Sequence, residues 1–219
     1  AGIGVNMDMA PVLDVAPEHI ASIMAGRSFG ADPAHVARMG TTVIEEFQQA
    51  GIMAVAKHFP GIGRTVLDSH MELPDLDTAL EEMQASDLLP FAAAIESQVA
   101  GIMLSHIRYG TIDPQWPASL SPRVVVDLLR RRMGYQGVVM TDDLDMGAIK
   151  KHYDLATVMG QILAADIDIA LICHKGPNIE AAFERLLDFY QDPDTPPAPA
   201  RRPLERIMAL KERYLMPSV

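Results

Sequence analysis

Three groups of side chains have the types and spacings from which a catalytic site could be built. Lys57 and His58 stand together at the end of an apolar run. An ammonium brings three hydrogen-bond donors and an imidazole can donate and accept, which suits them to holding hydroxyl groups. Asp68-Ser69-His70 puts a carboxylate two residues from an imidazole. A carboxylate on one ring nitrogen orients the ring and raises the basicity of the other, the arrangement of a general acid/base. Asp142-Asp143 closes a third apolar run. Side chains alternate along a strand, so only one of the two can face a site, and Asp142 is read as that nucleophile or base.

Each group also has a plain structural reading. Lys57 can run its stem along apolar surface and keep its charge in water. Asp68 and His70 can be an ordinary pair in a surface loop, and Asp143 or Asp145 can cap a following helix. His106 and His174 stand at the ends of further apolar runs, while His19, His35 and His152 read as solvated positions. No His-x-His or cysteine pair is present, and Gly61-x-Gly63 lacks the rest of a phosphate-binding fingerprint, so neither a metal, a nucleotide nor another cofactor is expected.

The elements that must carry these groups alternate in kind. Apolar runs at 5–15, 52–57, 101–107, 137–141 and 167–173 read as buried strands, four of them closing on the polar groups above. Between them lie helical patterns: 33–50 with Asp32 as cap and Pro33 at its first position, 76–97 with a break at Pro90, 123–133 after Ser121-Pro122, 156–165, and 179–190. Continuous apolar strands separated by helices imply a parallel sheet covered on both faces. Polar residues at the carboxyl end of strand after strand favour a TIM (β/α)8-type barrel over an open sheet with one switch point. Five legible strands against eight, with Ala1 already approaching one of them, predict a barrel incomplete at its N-terminus. The division expected is a partial barrel catalytic domain at 1–190, a Pro-rich linker at 191–203, and a C-terminal helix at 204–219. That helix would dock Leu204, Ile207, Met208 and Leu210 on the body.

Composition narrows the partners. The 219 residues are 49% hydrophobic and 21% charged, with a net charge of −11. No basic block offsets that charge, which excludes nucleic acid and anionic membranes as partners. No run of 18 apolar residues occurs, so no membrane span is expected. Cys173 is alone and can form no intrachain disulfide, which favours a reducing, cytoplasmic setting.

Lys57-His58-Phe59-Pro60-Gly61-x-Gly63 followed by Asp68-Ser69-His70 resembles the signature of glycoside hydrolase family 3, specifically its bacterial β-N-acetylglucosaminidases. Ala10-Pro11-Val12-Leu13-Asp14-Val15, Arg27-Ser28-Phe29, Pro117-Ala118-x-Leu120-Ser121 and Gly137-Val138-Val139-Met140-Thr141-Asp142-Asp143-Leu144 are similar to that family in the same order. The resemblance implies a retaining exo-glycosidase acting on terminal β-linked N-acetylglucosamine, in the usual case from peptidoglycan fragments. It implies Asp142 as nucleophile, His70 as acid/base with Asp68 its orienting partner, and Lys57, His58 and Arg27 as sugar ligands.

Two departures stand out. Ile62 occupies a position where the family commonly has His, and the family's acidic Asp-x-Glu-Gly-Gly-type segment, which helps bind sugar upstream of these motifs, is not in this sequence. Two other readings remain open. One is a metal-dependent barrel hydrolase using Lys57, His58, His106 and Asp142; the other is an inactive truncated barrel, whose exposed edges would favour self-association.

Overall fold

The computed structural model of the chain describes residues 3–193 and 197–216. In chain order the elements are β1 (Met7–Asp8), α1 (Pro33–Gln49), β2 (Met53–Phe59), β3 (Asp75–Leu76), α2 (Leu80–Ala85), α3 (Leu89–Glu96), β4 (Gly101–Leu104) and β5 (Arg108–Tyr109). A π-type helix (Arg123–Arg132) follows, then β6 (Val138–Asp143), α4 (Gly147–Lys150), α5 (Leu155–Ala164), β7 (Ile169–Leu171), α6 (Pro177–Gln191) and α7 (Pro197–Leu215). This is an α/β fold. Its main sheet has five parallel strands in the order β1-β2-β4-β6-β7, so each strand lies beside the next one along the chain, with β3 and β5 forming a separate parallel pair.

Strand alternation divides the core between the two faces of the sheet. Ala54, Ala56, Ile102, Leu104 and Val139 point to the layer that holds Ile44 of α1 and Phe91 of α3. Val55, Met103, Val138 and Met140 point the other way, where Ile207 and Leu210 of α7 cover them. The docking of α7 is reinforced by charge: Arg130 and Arg206 meet Asp166 and the fully buried Asp168 at the start of β7. Of the four apolar residues expected on the docking face, Leu204 and Met208 are exposed.

Local signals explain several boundaries. Asp32 accepts from the Ala34 N–H at 3.0 Å with Pro33 in the first turn of α1, and Gly51 closes that helix at φ 77°. Other expectations need correction. The strand expected at 5–15 is a ladder only at Met7–Asp8 plus one bridge from Val12 to Lys57. Pro11 has no N–H to contribute there, although the Ala10 and Pro11 carbonyls still accept from Val55 and Lys57. The helix expected over 76–97 is two helices, because Pro90 sits in the first turn of α3, where a missing N–H costs nothing, rather than inside one long helix. The linker expected at 191–203 is shorter: α6 runs to Gln191 and residues 197–203 belong to α7, while 194–196 lie outside the described residues. Among the described residues no helix is long and apolar enough to cross a membrane.

Candidate active site

The carboxyl ends of β2 and β6 are where the ladder loses its regular register, between Ala56 and Phe59 in one strand and between Met140 and Asp143 in the other. Irregularities of this kind re-aim side chains, and they fall on the residues expected to do chemistry. After β2 the backbone turns under the 14–16 segment so closely that a Cβ on Gly63 would lie 1.7 Å from the Val15 carbonyl oxygen. Only glycine fits at that crossing. The Lys57–His58 and Phe59–Pro60 peptide bonds are cis.

Asp14 organises this corner. It is fully buried, and its Oδ1 accepts from the backbone N–H of Ile62 at 2.8 Å and of His58 at 3.3 Å. Its Oδ2 meets His58 Nδ1 at 2.8 Å. A carboxylate only accepts, so Nδ1 carries the hydrogen and the other edge of the ring is left for the cavity. The sequence placed Asp14 inside a recognisable motif without a role; it lies two residues past the Val12–Lys57 bridge, beside the end of β2.

Asp68 and His70 sit in the loop beyond. His70 Nδ1 lies 2.6 Å from Asp68 Oδ1, and the same oxygen accepts the His70 backbone N–H at 2.9 Å. These two hydrogen bonds, the backbone one first, pull the Asp68 carboxyl below the usual aspartate range. Both side chains remain more than half exposed, 65% for His70 and 53% for Asp68. Ser69 between them is buried.

Asp142, at the end of β6, is half-buried and accepts the Asp143 N–H at 2.8 Å. Asp143 turns away: its Oδ1 accepts from Asp145 and Cys173 N–H groups, and its Oδ2 lies 3.2 Å from His174. Neither Asp143 nor Asp145 caps α4, whose start has no side-chain cap, so the capping expectation does not hold. Asp143 instead ties β6 to the end of β7, and Asp145 accepts from Asn178.

One cavity of about 210 Å³ collects most of the expected residues: Arg27, His58, Asp68, His70 and Asp142 line it, with His106 in its wall. Lys57 is not in that lining. It is half-buried nearby, with its pKa lowered by burial and by Arg27 and held up by Asp142. His106 stands just past the end of β4. Its Nε2 donates to the Asp143 carbonyl at 2.9 Å and its Nδ1 accepts from the Ser119 hydroxyl at 2.7 Å. Burial lowers its pKa, so the ring is neutral and both nitrogens are used. His106 thus has no lone pair free for a metal, and the four-ligand metal reading built on Lys57, His58, His106 and Asp142 loses a member.

The chain is similar in sequence and in fold to known proteins. The N-terminal domain model of glycosyl hydrolase family 3 matches residues 1–208. The chain is 36% identical over 185 residues to a β-hexosaminidase of Pseudomonas aeruginosa (strain LESB58), a match over 84% of this chain and 54% of that protein. It is 35% identical over 182 residues to β-hexosaminidase A of Pseudoalteromonas piscicida, over 78% and 30%. Among solved structures, a family 3 β-N-acetylglucosaminidase from Paenibacillus sp. str. FPU-7 superposes with a TM-score of 0.92 at 36% identity, covering 99% of this chain and 42% of that one. The chain therefore spans about half the length, or less, of these relatives.

Proposed function

The chain belongs to glycosyl hydrolase family 3, and from that premise we propose that it provides the catalytic half of a retaining exo-β-N-acetylglucosaminidase acting on terminal β-linked N-acetylglucosamine of peptidoglycan-type fragments. The observation that carries this reading is that Asp142 and the Asp68–His70 pair line one and the same cavity, together with Arg27 and His58.

In the first step an Asp142 carboxylate oxygen attacks the anomeric carbon and the glycosidic C–O bond breaks. His70 gives its Nε2 proton to the departing oxygen. Asp68 holds Nδ1–H throughout, steadying the ring and the charge it carries. In the second step His70 takes a proton from water, the water oxygen bonds to the anomeric carbon, and Asp142 leaves unchanged. Retaining glycosidases usually employ two carboxylates for these roles. Here an imidazole backed by a carboxylate takes the place of the second one. Arg27, His58 and Lys57 are the ligands proposed for the sugar's hydroxyl and acetamido groups. Lys57, less well solvated than a surface lysine, gains most from such a partner.

We read the five sequential parallel strands as consecutive strands of a (β/α)8-type barrel, the described residues up to the end of α6 being its catalytic part and α7 (Pro197–Leu215) a helix docked on it. The sequential order and the convergence of polar residues at the strands' carboxyl ends support this. The test is hydrolysis of an aryl β-N-acetylglucosaminide and the matching β-glucoside by the wild-type chain and Asp142→Asn. Cleavage of the acetamido sugar alone, abolished in Asp142→Asn, is the expected result. Cleavage of neither substrate by the wild type overturns the reading and leaves an inactive barrel.

A further inference from the structure

The acid/base pair stands on a loop that has little to hold it. Between Thr65 and Glu72 there is neither strand nor helix, and Val66, Leu67 and Met71 are exposed along with Asp68 and His70. One end is fixed where the Thr65 carbonyl accepts from the Ile23 N–H at 3.1 Å. The other end is fixed by α4. The Gly147 N–H donates to the His70 carbonyl at 3.0 Å, and the Ala148 N–H donates to the Ser69 carbonyl at 3.1 Å.

We infer that the first turn of α4 is the dock of the acid/base loop and that Gly147 is a positioning residue for His70; this rests on the glycosidase reading above. The approach is backbone against backbone. A Cβ on Gly147 would stand 2.6 Å from both the His70 and the Met71 carbonyl oxygens, so any side chain at this position lifts the loop. The dock also shares its frame with the nucleophile. Gly147 follows Asp142 by one tight turn, in which the Asp143 carbonyl accepts from the Met146 N–H at 3.0 Å and from His106 Nε2 at 2.9 Å. Asp142 and His70 are thereby referenced to one rigid corner instead of to two independent elements. The Lys151–Glu72 ion pair, 2.7 Å and exposed, closes the outside of the same contact and adds little by itself.

The experiment compares the wild-type chain with Gly147→Ala on two aryl β-N-acetylglucosaminides, one with phenol and one with dinitrophenol as leaving group. Phenol needs a proton to depart and dinitrophenol does not. Misplacing the acid by about 1 Å costs about 10²-fold, so kcat/KM for the phenyl glycoside should fall by that order in Gly147→Ala. The dinitrophenyl glycoside should change less than about threefold, since no acid is needed for it. The same leaving-group dependence in variant and wild type overturns the dock. Hydrogen exchange on the wild-type chain gives a second arm that needs neither activity nor a folded variant. Slow exchange at the Gly147 and Ala148 amides is expected, and exchange as fast as at exposed loop amides overturns the inference. A wild type that cleaves neither glycoside but protects both amides defeats the glycosidase reading and leaves the dock standing.

Discussion

Replacing Asp14 with alanine strips three donors of their acceptor at once: the Ile62 N–H, the His58 N–H and His58 Nδ1–H. The site is fully buried, so none of the three finds bulk water without local opening. At about 1–3 kcal/mol for each buried donor left unmade, discounted for relaxation, the loss comes to about 4 kcal/mol. For a chain of this size each kcal/mol lowers Tm by about 2–4 °C, so the expected fall is about 8–16 °C in a thermal melt followed by circular dichroism. Asp14→Asn separates folding from function. The amide oxygen still accepts both backbone N–H groups, and its NH2 can donate to His58 Nδ1 if the ring changes tautomer. That change turns the cavity edge of His58 from acceptor to donor. Asp14→Asn should therefore lose only about 1 kcal/mol of stability. Its KM should rise about tenfold if one sugar hydrogen bond worth about 1.4 kcal/mol is lost. A Tm within about 3 °C of wild type for Asp14→Ala would mean less than about 1.5 kcal/mol at stake, and would refute the view that Asp14 holds this corner.

Two further outcomes follow from the same structure. The Asp168 carboxylate is buried between Arg130 and Arg206 and also accepts the Val139 N–H at 2.7 Å, so Asp168→Ala leaves the two arginines only Asp166 as a charged partner and should cost about 3 kcal/mol in urea unfolding; a midpoint equal to wild type would show that this network does not hold α7 on the sheet. Lys57 has a folded-state pKa below the ordinary 10.5, chiefly from burial, so the native state gives up this proton more readily than the unfolded chain. The cost of the buried ammonium is fully present below the folded-state value and is relieved as pH rises from there toward 10.5. The stability difference between Lys57→Met and wild type should shrink over that interval, and a difference independent of pH would show that Lys57 is ordinarily solvated.

Much of this architecture was legible because the strands are buried on both faces. β2, β4 and β6 present uninterrupted apolar runs, and the polar residues that follow them mark the approach to the strands' carboxyl ends. Asp32-Pro33 and Gly51 bracket α1 through chemistry that is local to the chain. What could not be read is what depends on distant backbone. Asp14 looks like any strand-end aspartate until Ile62 and His58 arrive from forty-odd residues away to share it. Gly147 carries no functional group, and its role exists only because two carbonyls of the 69–71 segment come to rest against it. The break expected at Pro90 in the 76–97 segment exists but lies a few residues earlier, between Ala85 and Leu89, because Pro90 fits the first turn of α3. His106 differs again: its type and place at a strand end were visible, but its two hydrogen bonds, to Ser119 and to the Asp143 carbonyl, belong to the fold.

The central claim is that Asp142 forms the covalent bond to the sugar. It is tested most directly by treating the chain with a fluorinated β-N-acetylglucosaminide that bears an activated leaving group, which slows release of the glycosyl-enzyme, and mapping the adduct by mass spectrometry of peptides. One glycosyl adduct on Asp142, absent from Asp142→Asn, is the result expected. An adduct on any other residue, or equal labelling of Asp142→Asn, would contradict it.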